Sequence, residues 1–153
     1  MTIDDFKVEE YCEQAVSMCK KLADVELDYT LESLEKLEGV IGQTRALRRK
    51  DRGLIDDNVA WNLSVYFGTY FGEIMLRDQL AARGMSWQLN ENGLPVVMDE
   101  KHRNALSPIS KIYKKLTEGE NEVDEEGDLP TVYKIYLWML ERDKAAPGSG
   151  SEV

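Results

Sequence analysis

The sequence predicts an α+β domain: four or five helices packed around one buried central helix, with a small antiparallel β-sheet or hairpin beside them. Three observations carry this expectation. On a helix turning about 100° per residue, Asn58 to Leu80 is apolar nearly all the way round. Its one polar stripe is Asn62, Tyr66, Thr69, Glu73 and Arg77, kept in line by spacings of 3 and 4. A helix that apolar belongs inside a core. After it, between Met85 and Met98, the period changes from helical to two, as in a strand. Flanking segments repeat apolar residues at i, i+3 and i+4, the mark of amphipathic helices.

In chain order, residues 3–24 place Val8, Cys12, Ala15, Val16, Cys19, Leu22 and Ala23 on one face, and predict the first helix. Thr30 suits the N-cap of a second, in which Leu31, Leu34, Leu37 and Ile41 form the buried line. Arg45, Arg48, Arg49 and Lys50 stand in its last turns, where cations complement the helix dipole, and Gly53 marks the stop. The central helix starts with Asp56 or Asp57 as cap and is expected to run to about Arg83, ending at Gly84. Within it Gly68 and Gly72, four apart, clear a strip on which another element packs closely.

Met85, Trp87 and Leu89 alternate with Ser86, Gln88 and Asn90; Glu91, Asn92 and Gly93 make a turn; and Leu94 to Met98 returns as a second strand. Pro95 puts that strand at an edge or marks its start. Residues 102–106 add a short third strand. Ser107 and Pro108 open a fourth helix with Ile109, Ile112, Tyr113 and Leu116 inward, closed by Gly119. Asp128 and Pro130 start the last, with Val132, Tyr133, Tyr136, Leu137 and Leu140 available for docking. Residues 1–143 are expected to form one domain and 144–153 a disordered tail.

Composition narrows the function. The 153 residues include 29 acidic and 19 basic side chains, a formal charge of −10, which disfavours nucleic acid and anionic membrane surfaces as partners. The first residues lack both the basic start and the apolar run of a secretory signal, so a cytoplasmic location is expected. Charged residues crowd the ends of the central segment, which therefore reads as a soluble helix rather than a membrane span. Cys12 and Cys19 sit about 10 Å apart along one helix, too far for a disulfide, and read as small core residues of a reduced protein.

The sequence holds no motif for metal, nucleophilic or phosphate chemistry. Two cysteines on one helix and a single histidine, His102, do not make a zinc or iron site. No serine stands in a G-x-S-x-G turn. The glycines lie in helices, at helix ends or in the tail rather than in a phosphate-cradling loop. The basic group Arg45, Arg48, Arg49, Lys50 and Arg52 lacks interleaved aromatics and is explained by its place at a helix end. No cofactor, metal or catalytic residue is therefore expected.

AWNLSVYFGTYFGEIM, the Trp87 strand after it and the later SPISKIYKKLTEGE resemble small uncharacterised bacterial domains. In those a G-x-Y-x-G-E-like helix precedes a tryptophan-bearing hairpin and a proline-started helix ending K-x-L-x-x-G. Gly68, Tyr70, Gly72 and Glu73 match that helix, and Trp87 the strand, over roughly residues 27–137. Some related small domains look like members of bacterial toxin and immunity gene neighbourhoods. The resemblance implies an immunity-type interaction, and no activity is attached to it.

Two surfaces remain as candidates. Glu73 and Arg77 are an i, i+4 pair in the favourable order, with the hydroxyls of Tyr66 and Thr69 on the same line. The stripe is either a satisfied polar seam or solvent side of the helix, or it lines a cleft beside Trp87 for a small polar ligand or peptide. The segment from Glu118 to Asp128 holds seven acids and no base. It reads as an exposed loop, either plainly solvated or one in which Glu120, Glu122, Asp124, Glu125 and Glu126 steer a basic or neutral protein. The preferred function is a non-catalytic cytoplasmic interaction module with an acidic surface; the contrary reading is a small-ligand binder or unusual enzyme using the stripe.

Overall fold

The computed structural model describes residues 2–117 and 127–145, with side chains to Arg142. A 3-10 turn, Ile3–Asp5, precedes α1 (Val8–Ala23), α2 (Ser33–Lys50) and α3 (Asp57–Met75). A π-helical turn, Leu76–Leu80, leads into β1 (Met85–Leu89), β2 (Pro95–Asp99) and β3 (Ala105–Leu106), then α4 (Pro108–Thr117) and α5 (Leu129–Ala145). The described residues form five α-helices and a three-stranded antiparallel sheet in the order β1-β2-β3, a mostly helical α+β fold. None of these helices is long and apolar enough to cross a membrane.

Helix α3 is the centre. Asp56 caps it by accepting from the Val59 N–H at 2.9 Å. Leu63, Phe67, Tyr70, Phe71, Ile74 and Met75 are all buried between α1 on one side and α4 and the sheet on the other. Both glycines are used for close approach: a Cβ on Gly68 would strike the backbone of Ile109 in α4, and one on Gly72 the Trp87 ring. The α-helix stops at Met75, short of the expected Arg83. The wider turn that follows carries an i→i+5 bond from Ala81 N–H to the Leu76 carbonyl, and Tyr133 of α5 donates to Asp78 within it at 2.6 Å.

The hairpin pairs Met85 with Asp99 through Leu89 with Pro95, so Pro95 opens a central strand rather than lying on an edge. Asn90 Oδ1 accepts from the N–H groups of Asn92 and Leu94 and shapes the turn, with Gly93 at φ 79°. β3 is shorter than expected, since His102 sits in a turn at φ 56°. At α4 the expected Ser107 cap is absent: its Oγ is buried without a hydrogen-bond partner, and only its carbonyl joins the helix by accepting from Lys111. Asp128 does cap α5, accepting from Thr131 at 2.9 Å.

Two buried-line assignments fail. Leu22 is 72% exposed at the end of α1, just before Asp24 breaks the helix at φ 53°. Leu31 is exposed because Thr30 starts a turn instead of the helix. The Thr30 Oγ1 and carbonyl both accept from the Ser33 N–H, so α2 begins three residues later. The expected tail start at 144 falls inside α5, and 146–153 lie outside the described residues.

Candidate functional site

The polar stripe of α3 divides in the folded chain. Thr69 leaves it: its side chain is fully buried and its hydroxyl donates to the Val65 carbonyl one turn back at 2.6 Å, so it offers nothing to a ligand. Asn62 is exposed. Tyr66 is half-buried, its ring 5.9 Å from Tyr11, which in turn lies 5.6 Å from Phe6. Phe6 meets Trp87 edge to face at 5.0 Å, so an aromatic chain ties the N-terminal segment, α3 and β1 together.

Glu73, Arg77 and Trp87 are brought into contact. Trp87 Nε1 donates to Glu73 Oε1 at 3.1 Å, and Arg77 Nε donates to Oε2 at 3.3 Å. The Glu73 side chain is only 18% exposed, so each of its oxygens meets a protein donor in a partly desolvated place. The Arg77 guanidinium lies over the Tyr29 ring, 4.5 Å from its centre. Tyr29 itself holds φ 63°, with its N–H donating to the Tyr70 hydroxyl at 2.8 Å.

A concave surface of about 530 Å³ opens here, lined by Val8, Glu9, Cys12, Glu13, Tyr29, Glu73 and Arg77. It lies on the α1 side of Glu73; Tyr66, Thr69 and Trp87 do not line it, so the cleft along the whole stripe is replaced by a hollow at one end. Burial, with Glu73 adding to it, pushes the Cys12 thiol up to about 12, which keeps it protonated and unreactive at neutral pH. The Tyr29 hydroxyl is raised by burial as well. Both oxygens of the Glu73 carboxylate are thus engaged by donors of the fold, beside a protonated thiol. Among the described residues no three His, Cys, Asp or Glu side chains are grouped to hold a metal.

Two members of the basic group at the end of α2, Arg45 and Arg48, are engaged within the fold. Arg48 is buried, donates to the Ile55 carbonyl at 2.9 Å and pairs with Asp57 at 2.7 Å. Arg45 donates to the Lys115 carbonyl. His102 is exposed.

Glu120, Glu122, Asp124, Glu125 and Glu126 fall outside the described residues, as do all of 118–126; the residues on either side of that stretch are described. Lys115, at the end of α4, is buried and pairs with Glu38 of α2 at 3.1 Å. The same Lys115 donates to the Gly127 carbonyl at 2.8 Å, while Glu38 accepts from the Leu129 N–H at 2.8 Å. One ion pair thus joins the end of α4, Gly127 and the start of α5 to α2. Sequence reading misses this clamp, because Glu38 and Lys115 stand 77 positions apart and neither has a local signature. It also misses Glu9, Glu13 and Tyr29 at the hollow; the like-charged i, i+4 pair Glu9 and Glu13 was the one available signal.

No protein-family model matches this chain, and no curated protein or solved structure does so at a significant level.

Proposed function

We propose that the chain is a non-catalytic interaction module that presents an acidic surface to a basic or neutral protein, as an immunity-type protein does. The observation that carries this reading is the clamp of Glu38 and Lys115. A chain that only needs a solvated connection between two helices gains little from burying a lysine there, since a buried ion pair is costly to desolvate. The clamp fixes where α4 ends and α5 begins, and with them the place from which the acidic residues are presented. Seven acids between Glu118 and Asp128 then steer a cationic partner and raise its association rate.

The test joins recovery with kinetics. Immobilised protein should capture a basic protein from lysate at low salt. Replacing Glu120, Glu122, Asp124, Glu125 and Glu126 by Gln or Asn should slow its association and flatten the salt dependence. Unchanged kinetics in that variant would count against the reading.

The hollow beside Glu73, Arg77 and Tyr29 favours a second reading, a small polar ligand. A metabolite that raises the melting temperature of the wild type but not of Glu73→Gln would support it. A panel without any such compound would remove it.

A further inference from the structure

One guanidinium in the hollow beside Glu73 is fixed in place and still has donors to give. Arg77 is held at Nε by Glu73 at 3.3 Å and lies 4.5 Å over the Tyr29 ring, yet its two Nη groups donate to no described residue. The platform beneath it is anchored in the core. Tyr29 keeps its left-handed φ of 63° because its N–H donates to the Tyr70 hydroxyl, which is buried and bonded to Ser33 at 2.7 Å. A guanidinium held by one edge and one face presents its remaining donors ready oriented, the arrangement that receives a carboxylate.

The wall supplied by α1 is acidic. Glu9 and Glu13 stand one turn apart, exposed, lining the same hollow, and neither makes a hydrogen bond or ion pair among the described residues. Like charges at i, i+4 weaken a helix, and nothing in the described fold offsets this pair. Glu13 lies toward the Arg77 platform: after burial, its charge also raises the Cys12 thiol and the Tyr29 hydroxyl. Glu9 is one turn farther toward the N-terminus. Val8 and the buried Cys12 add apolar floor.

We propose, building on the small-ligand reading of this hollow, that it holds an α-amino acid with a cationic side chain: the carboxylate on Arg77, the α-ammonium on Glu13 and the side-chain cation on Glu9. The charges select this class. A plain anion meets two open carboxylates here, and a diamine without a carboxylate meets Arg77. One cationic receptor and two anionic ones call for one negative and two positive groups on the ligand. Glu9 and Glu13 are about 6 Å apart along the helix axis, a distance that the four-carbon stem of a lysine bridges over the floor of Val8. The volume of about 530 Å³ lies within the range of ligand sites, roughly 300–1,000 Å³. Both glutamates face water, so the affinity belongs in the millimolar range.

Thermal denaturation at constant ionic strength, with free lysine as the probe up to about 50 mM, tests this. The expected result is a saturable rise of about 3 °C in the wild type. Norleucine, which lacks the side-chain amine, and cadaverine, which lacks the carboxylate, should each bind at least about tenfold more weakly. Glu9→Gln should abolish the advantage of lysine over norleucine, whereas Glu13→Gln should weaken both. These glutamates are exposed, and circular dichroism checks that each variant is folded. An equal lysine shift in the wild type and both variants, or norleucine or cadaverine binding as well as lysine, overturns the proposal. No lysine shift, while another compound acts through Glu73, overturns the amino-acid assignment and leaves the ligand reading standing. No shift with any compound removes both.

Discussion

Glu73 receives donors from two directions, the Trp87 indole and the Arg77 guanidinium, and so fastens the hairpin to the end of α3. Glu73→Gln keeps one acceptor oxygen and loses the charge that strengthens both bonds. It should cost about 1–2 kcal/mol in urea denaturation with the far-ultraviolet spectrum unchanged. The i, i+4 pairing of Glu73 with Arg77 was legible from spacing alone. Thr69 was not, since a helical threonine can turn its hydroxyl back to the i−4 carbonyl, and spacing does not report which rotamer it takes.

Two further residues make predictions in pH. Cys12, held near 12 by burial, should react with a thiol reagent at neutral pH only as fast as the chain opens. Labelling as fast as a free thiol in the native protein would contradict its placement. The Arg48 guanidinium holds the Asp57 carboxyl below its ordinary value. A lowered folded-state pKa stabilises above the unfolded value, about 3.9, and the contribution fades as pH falls through the folded one. Asp57→Asn should therefore lower stability at pH 7 and have little effect at the acid end of a pH series of denaturation curves.

Among the elements, α3 and the hairpin were readable because burial imposes a period: an all-round apolar helix, then alternation interrupted by Asn92 and Gly93. The caps were readable from local residue type, Asp128 outright and Asp56 as one of two candidates with Asp57. The π turn after Met75 was not, because it answers to a neighbour distant in the chain, the Tyr133 hydroxyl that reaches Asp78. The clamp between α2, α4 and α5 is equally non-local. Lys115→Met removes the buried ammonium and leaves Glu38 with the Leu129 N–H alone. We expect a loss of about 3 kcal/mol, measured by chemical denaturation, with part of it recovered when Glu38→Gln is added. At Gly72 a methyl group would meet the Trp87 ring. Gly72→Ala should accordingly destabilise by about 1–3 kcal/mol through overpacking, visible as a lower urea midpoint.

At the scale of the whole molecule, one apolar helix sets the positions of everything else. α1 covers one flank of α3, α4 and the sheet the other, and α5 closes the end at the π turn. The charge was readable from composition. The docking face of α5 was readable as well: Val132, Tyr133, Tyr136, Leu137 and Leu140 lie in or against the core, and Ile135, Trp138 and Met139 face outward. Native-state hydrogen exchange measures the central role of α3 most directly. The account predicts that amides of Leu63 to Met75 exchange only through global unfolding, with opening free energies equal to the denaturation value and above those of α5. Exchange in α3 as fast as in α5, or faster, would contradict it.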